Sequence, residues 1–207
     1  MAPVEGNTSE PDPAVILERL RDEATAAGVP VAWDPADGAG PLLATVVLGC
    51  SRDPVSRLDA AFALEAVFEG FLCHQGVPRL FSPDDGDLAL LTGDLLYALG
   101  LRAVASDGDT AAVEALSELI GASAAMAAEG RNRELGALWP AQAVVLADPS
   151  GEEWRTSARM VRDGGDDSGP GFASEARERA AAAGAERAFG RATDALQSMF
   201  RIDVESR

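Results

Sequence analysis

Apolar side chains recur at helical spacing through most of the chain, and clusters of Pro, Gly and Asp mark where the helices stop. Val15, Ile16, Leu20 and Ala24 line one face of an expected helix over Ala14–Ala27, with Asp12-Pro13 as its start signal and Gly28-Val29-Pro30 as its end. Leu42–Gly49 (LLATVVLG) has a Thr-Val-Val centre that suits a buried strand by propensity, but its helical surroundings favour a helix. Val55–Cys73 carries Leu58, Ala61, Phe62, Leu64, Phe68, Phe71 and Leu72 on a broad apolar face, behind the start signal Asp53-Pro54. The next helix opens at Ser82-Pro83-Asp84-Asp85 and runs through Leu101. It is apolar on nearly every side and is expected at the centre of the fold. Gly93 and Gly100 lie on one of its faces. A mid-helix glycine costs about 1 kcal/mol against alanine, so close approach of another helix is the expected compensation.

The turn at 106–110 leads to an expected helix over Ala111–Glu129, with Val113, Leu116, Ile120 and Ala124 facing the core and Gly130 ending it. Ala141–Ala147 fits a short helix or a buried strand equally well. Residues 163–171 (DGGDDSGPG) read as a flexible segment, and Ser174 caps a last helix through about Met199. The pattern gives six or seven helices, no convincing sheet and no internal repeat. The expected fold class is all-α: a disordered segment at 1–13, one helical domain at 14–200 and a tail at 201–207.

Composition agrees with helices. The 207 residues are 47% hydrophobic but only 5% aromatic, and alanine and leucine dominate. The formal charge of -17 includes no lysine, so all 17 basic residues are arginine. That excess repels nucleic acid and anionic membrane surfaces, so neither is an expected partner; its simplest role is solubility. Cys50 and Cys73 have no metal-binding spacing and stand among apolar residues, as buried thiols do. The N-terminal residues lack a signal-peptide pattern, and no run approaches the roughly 18 apolar residues of a membrane span, so a cytoplasmic location without a span is expected.

One stretch carries a family likeness. Ala60–Leu101 reads AAFALEAVFEGFLCHQGVPRLFSPDDGDLALLTGDLLYALGL. A helix ends at His74, a short loop contains Arg79, and a second helix contains Gly93-Asp94-Leu95-Leu96. This layout resembles the trans-isoprenyl (polyprenyl) diphosphate synthases, with a helix of the type AAAxELxHxxxLxHDD, an Arg-pair loop and a GDxLL segment. The likeness covers about Gly38–Gly130. It implies an isoprenoid-synthase-like helical bundle, truncated on the C-terminal side.

The family's charged motifs are missing at the matching positions. Gln75 and Gly76 follow His74 where the family has two aspartates. The segment Asp37-Gly38-Ala39-Gly40-Pro41-Leu42 lacks both cations of the GGKxxRP signature, which hold a diphosphate through charge-assisted donors. Val77-Pro78-Arg79-Leu80 offers one arginine in place of a pair. Beyond Gly130, Arg155-Thr156 is a relic candidate for the Lys-Thr pair, and Asp166-Asp167 lies between glycines rather than on a helix. The likeness therefore implies a non-catalytic member: a small or regulatory subunit of a heteromeric prenyl diphosphate synthase, or an isoprenoid-binding protein. Its implied partners are a second copy or a catalytic synthase subunit. Two alternatives stand: an active prenyltransferase with atypical metal ligands, and an unrelated helical interaction module.

No catalytic residue, metal ligand or cofactor is assigned; Mg²⁺ enters only if the active-enzyme alternative holds. The candidates for substrate contact are Glu65, His74 and Asp94. For Asp94 and Glu65, set in apolar helices, the structural reading is a carboxylate bonded to an arginine or to a neighbouring helix N-terminus. For His74, the only histidine, the structural reading is a capping place at a helix C-terminus. Asp84, Asp85 and Asp87 read as a helix cap, and Asp107 and Asp109 as a turn.

Overall fold

A computed structural model of the chain describes residues 11–29, 31–148 and 168–205. Among these residues the protein is all-α. Its helices are α1 (Ala14–Ala26), α2 (Leu42–Cys50), α3 (Leu58–His74), α4 (Gly86–Ser106), α5 (Thr110–Ala128), α6 (Asn132–Ala147), α7 (Ser168–Ala182) and α8 (Glu186–Glu205). Two-residue strands, β1 (Ala32–Trp33) and β2 (Phe81–Ser82), form one antiparallel pair with Ala32 opposite Ser82 and Trp33 opposite Phe81. No pattern along the chain signalled this pair. Trp33 and Phe81 meet edge to face in it, with ring centroids 5.2 Å apart.

The centre of the bundle is α3. Every residue from Ala60 to Cys73 is buried, including two glutamates. Residues Val55–Arg57 form a single 3₁₀ turn ahead of it, so the α-helix starts three residues later than the pattern suggested. Helices α1, α2, α4, α5 and α6 surround α3, while α6 also packs on α2, α7 and α8.

The expectation that α4 is buried on all sides is overturned. It buries Ala89, Thr92, Gly93, Leu96, Leu99, Gly100, Ala103 and Val104, whereas Leu90 and Leu91 are 46% and 60% exposed and Asp94 points outward. A helix made of leucine and alanine carries little contrast between its faces, so its pattern alone cannot orient it. Its glycines do. A Cβ on Gly100 would stand 2.8 Å from the carbonyl oxygen of Ala63, and one on Gly93 would stand 2.8 Å from that of Gly70. Both belong to α3, and the expected close approach is this contact, the most extensive helix pair of the fold.

Helix α5 is likewise turned from its expected register. Ala112, Ala115, Leu116, Leu119, Ala122, Ser123 and Met126 are buried, Val113 and Ile120 are half-buried, and Ala124 is exposed. Leu42–Cys50 and Ala141–Ala147 are both helical, which settles the two strand-or-helix ambiguities. The expected single last helix is two. Gly184 takes a φ of +80° between α7 and α8, a left-handed turn that glycine adopts without strain. Helix α7 starts at Ser168, inside the segment expected to be flexible, and Arg201–Glu205 continue α8 rather than forming a tail. Residues 1–10, 163–167 and 206–207 of the expected terminal and flexible segments lie outside the described residues.

Candidate functional site

Two regions of α3 hold the ionisable groups that matter. The first is interior. Glu65 and Glu69 sit one turn apart on α3, and both are fully buried. Residues 77–82 return along the helix and bring Arg79 between them. Arg79 donates through Nε to Glu69 Oε2 at 3.1 Å, through Nη2 to Glu65 Oε2, and through Nη1 to the carbonyl of Gly40 at 2.9 Å. Its guanidinium also lies 4.9 Å from the Phe68 ring centre. The other carboxylate oxygens accept from the backbone. Glu65 Oε1 takes the N–H groups of Leu43 and Ala44, at 2.7 and 3.0 Å, in the first turn of α2. Glu69 Oε1 takes those of Arg79 and Leu80, at 2.9 and 2.7 Å.

Electrostatics follow from this wiring. Burial raises the pKa of Glu69, with Arg79 and the two backbone N–H groups pulling the other way. Burial disfavours the charged form of Arg79, but Glu65 and Glu69 outweigh it and hold the guanidinium protonated above its ordinary range. The second carboxylate charge is met by the positive end of the α2 dipole. The cluster ties α2, α3 and the 77–82 segment together. Its carboxylate oxygens are already taken, so it offers a hard cation such as Mg²⁺ no open ligand set. The structural expectation for Glu65 holds in both of its forms, since the carboxylate meets an arginine and a helix N-terminus.

Sequence reasoning missed Glu69 and saw Arg79 only as the remnant of a pair. The signal was present: two glutamates at i and i+4 inside a wholly apolar helix need a buried cation.

The second region is the C-terminal end of α3, about 13 Å along the helix from Glu65 at 1.5 Å per residue. Here the structure brings the other two candidates together. His74 Nε2 stands 3.2 Å from Asp94 Oδ1, with the side chains 28% and 70% exposed. Asp94 therefore does not occupy the apolar interior expected of it. The angle is too poor for a hydrogen bond, so Nε2 is buried without a bonded partner. The imidazole stacks on Tyr97, with centroids 5.2 Å apart and planes 6° from parallel. Gly93 makes room for the ring, since a Cβ there would overlap it. Burial, then Asp94 and Cys73, pushes the Tyr97 phenol well above its usual range.

In front of the stacked pair lies a groove of about 480 Å³, walled by Phe71 and Gln75 of the α3 end and by Ile120, Ala124, Ala127 and Ala128 of α5. A wider cleft of about 550 Å³ between α1, α3 and α4 is lined by Arg19, Glu23, Asp59 and Arg102. Those charges pair with one another: Arg19 with Glu23 and Asp59 at 2.7 and 2.6 Å, and Arg102 with Glu23 at 2.8 Å.

Of Asp84, Asp85 and Asp87, expected to cap α4, Asp85 is the N-cap. Asp85 accepts from Leu88 N–H at the start of α4, and Asp109, read as part of a plain turn, caps α5 through Ala112 N–H and pairs with Arg57 at 2.7 Å. Among the described residues no three His, Cys, Asp or Glu side chains are grouped as metal ligands. Arg155-Thr156 and Asp166-Asp167 lie outside those residues. Cys73 is buried as expected, and burial, with Glu69 adding, raises its thiol pKa to about 12, whereas Cys50 is only half-buried at the end of α2 and is raised to about 11. Contrary to the reading of apolar runs, α4 and α5 are long and apolar enough to cross a membrane by length and composition, a property that core helices of helical bundles share.

The fold and these two regions define an all-α bundle built around a buried carboxylate–arginine cluster. No family model, curated protein or solved structure matches the chain.

Proposed function

We propose that the chain is a non-catalytic, polyprenyl-synthase-like protein of the cytoplasm. In this reading it binds an isoprenoid or serves as the small subunit beside a catalytic prenyl diphosphate synthase, in an isoprenoid-synthase-like bundle shortened on its C-terminal side. The observation that carries the reading is how the carboxylates of α3 are used. A metal-dependent prenyltransferase needs acids one turn apart that are open to Mg²⁺. The two acids with that spacing, Glu65 and Glu69, are spent on Arg79 and on backbone N–H groups. At residues 71–76, where the resemblance puts the aspartate pair, the side chains of Phe71, His74 and Gln75 border an apolar groove. Magnesium therefore has no fitting donor set in either place.

The exposed leucines of α4 support a partner, since large apolar side chains grouped on a surface favour association. The pure protein, given an allylic diphosphate, isopentenyl diphosphate and Mg²⁺, is expected to form no longer product; robust turnover would overturn the reading. Light scattering alone and with a catalytic synthase tests the partner, and a monomer in every mixture would leave an unrelated helical module in its place.

A further inference from the structure

We infer that the cavity between the start of α6 and the end of α8 binds a phosphate monoester. The inference is independent of the proposed function, because the site's charged residues lie on helices beyond the stretch that carries the family likeness. The crossing of the two helices makes the cavity. Gly136 lets α8 pass close to α6, and a Cβ there would stand 3.1 Å from Cα of Gln197. One turn from this contact toward the start of α6 lie Asn132 and Arg133, and one turn toward the end of α8 lie Phe200 and Arg201. Between them opens a cavity of about 540 Å³, within the range of small-molecule sites, with Gln197 and Glu134 also in its lining.

The charge of this cavity runs against that of the chain. Acids outnumber arginines 34 to 17 in the sequence. Yet Arg133 and Arg201 both line the cavity, and among the described residues neither side chain has an ion pair or a hydrogen bond. Glu134, the one carboxylate of the lining, is already opposed by Arg131 at 3.5 Å. The backbone adds to the positive end. Arg131 is the N-cap of α6 and its side chain caps nothing, so the N–H groups of Asn132 and Arg133 have no intrahelical acceptor. They carry the positive end of the α6 dipole, which favours an anion there.

The donors select the ligand. Guanidinium groups on two separate helices, the side-chain amides of Asn132 and Gln197 and the free N–H groups of α6 outnumber what the two oxygens of a carboxylate can accept. A phosphate monoester brings three terminal oxygens and about two negative charges, one for each unpaired arginine. Phe200 gives the organic part of the ester an aromatic wall. The probe is phenyl phosphate, titrated into the full chain and followed by NMR at the backbone amides of Asn132 and Arg133. Saturable shifts are expected, with benzoate at equal ionic strength binding at least about tenfold more weakly. Inorganic phosphate should shift the same amides but bind more weakly than the ester, since it makes no contact with Phe200. Arg133→Gln and Arg201→Gln, at exposed positions, should each weaken phenyl phosphate about tenfold while the thermal midpoint stays at the parent value.

Five outcomes overturn the inference: no saturable shift with phenyl phosphate, benzoate binding as tight as the ester, inorganic phosphate binding as tight as the ester, an affinity untouched by both arginine substitutions, or shifts that sodium chloride reproduces, which would make Arg133 and Arg201 ordinary surface charges. None of them bears on prenyl transfer, so the non-catalytic reading stands or falls by its own assay.

Discussion

The two ends of α3 handle the same problem, polar groups beside a hydrophobic core, in opposite ways. At Glu65 and Glu69 each carboxylate oxygen has a donor, and the cluster is closed to solvent. At His74 the ring is half-exposed, Nε2 has an ill-aligned neighbour, and a groove stands open beside it. A satisfied polar cluster holds a fold together and has nothing left to offer a ligand. A partly satisfied one at a groove can still gain hydrogen bonds. Buried acids whose oxygens are all bonded are therefore weak candidates for a binding site, and a weakly bonded aromatic pair beside a groove is a stronger one.

The comparison breaks most visibly at Arg79. Replacing it with leucine strands two buried carboxylates, and removing one partner of such a cluster costs about 3–5 kcal/mol. Chemical denaturation of Arg79→Leu should show that loss or no folded protein at all. A midpoint near the parent's would mean that the cluster is not structural.

A smaller effect is expected at the open end. Gly93→Val puts a branched side chain against the His74 ring and within 2.8 Å of the Gly70 carbonyl. The ring can move but the backbone of α3 cannot, so overpacking of about 1–3 kcal/mol is expected. The His74 and Tyr97 NMR signals should also move apart from their parent positions. Unchanged signals would show that Gly93 does not seat the ring.

The smallest effect concerns the thiols. Burial raises Cys50 to about 11 and Cys73 to about 12 from an ordinary 9.0. The folded chain therefore holds these protons where the unfolded chain releases them, and their contribution to stability is intact below pH 9 and lost as pH rises toward 12. Iodoacetamide at pH 8 should label the native thiols far more slowly than the unfolded ones. Equal labelling would contradict the burial of Cys73 and the half-burial of Cys50.

Much of the fold was legible because it depends on local signals. The helix starts at Asp85 and near Asp53 and the close approach at Gly93 and Gly100 rest on nearby residues, while the helical reading of Leu42–Gly49 came from its helical surroundings against its own propensity. What was not legible depends on partners distant in sequence. The exposed face of α4 and the rotation of α5 could not be read from runs of alanine and leucine, in which every face is apolar. The break between α7 and α8 hangs on the single residue Gly184.

The site divides along the same line. Glu65 was singled out and its structural role anticipated, but Glu69 was overlooked, because the pairing through Arg79 spans 10 to 14 positions and appears only once the loop folds back. His74 and Asp94 were named separately, and only the packing of α4 on α3 makes them neighbours.

The central claim is that the acid pair of α3 serves the fold and not a metal. The most direct test is the thermal midpoint of the parent and of Glu65→Gln, each with and without millimolar Mg²⁺. The account predicts a parent midpoint that Mg²⁺ leaves unchanged, and a drop on the order of 6–20 °C for the variant under both conditions, as loss of a buried charge pair implies for a chain of this size. A parent stabilised by Mg²⁺, with a variant of normal stability that no longer responds to the ion, would contradict it.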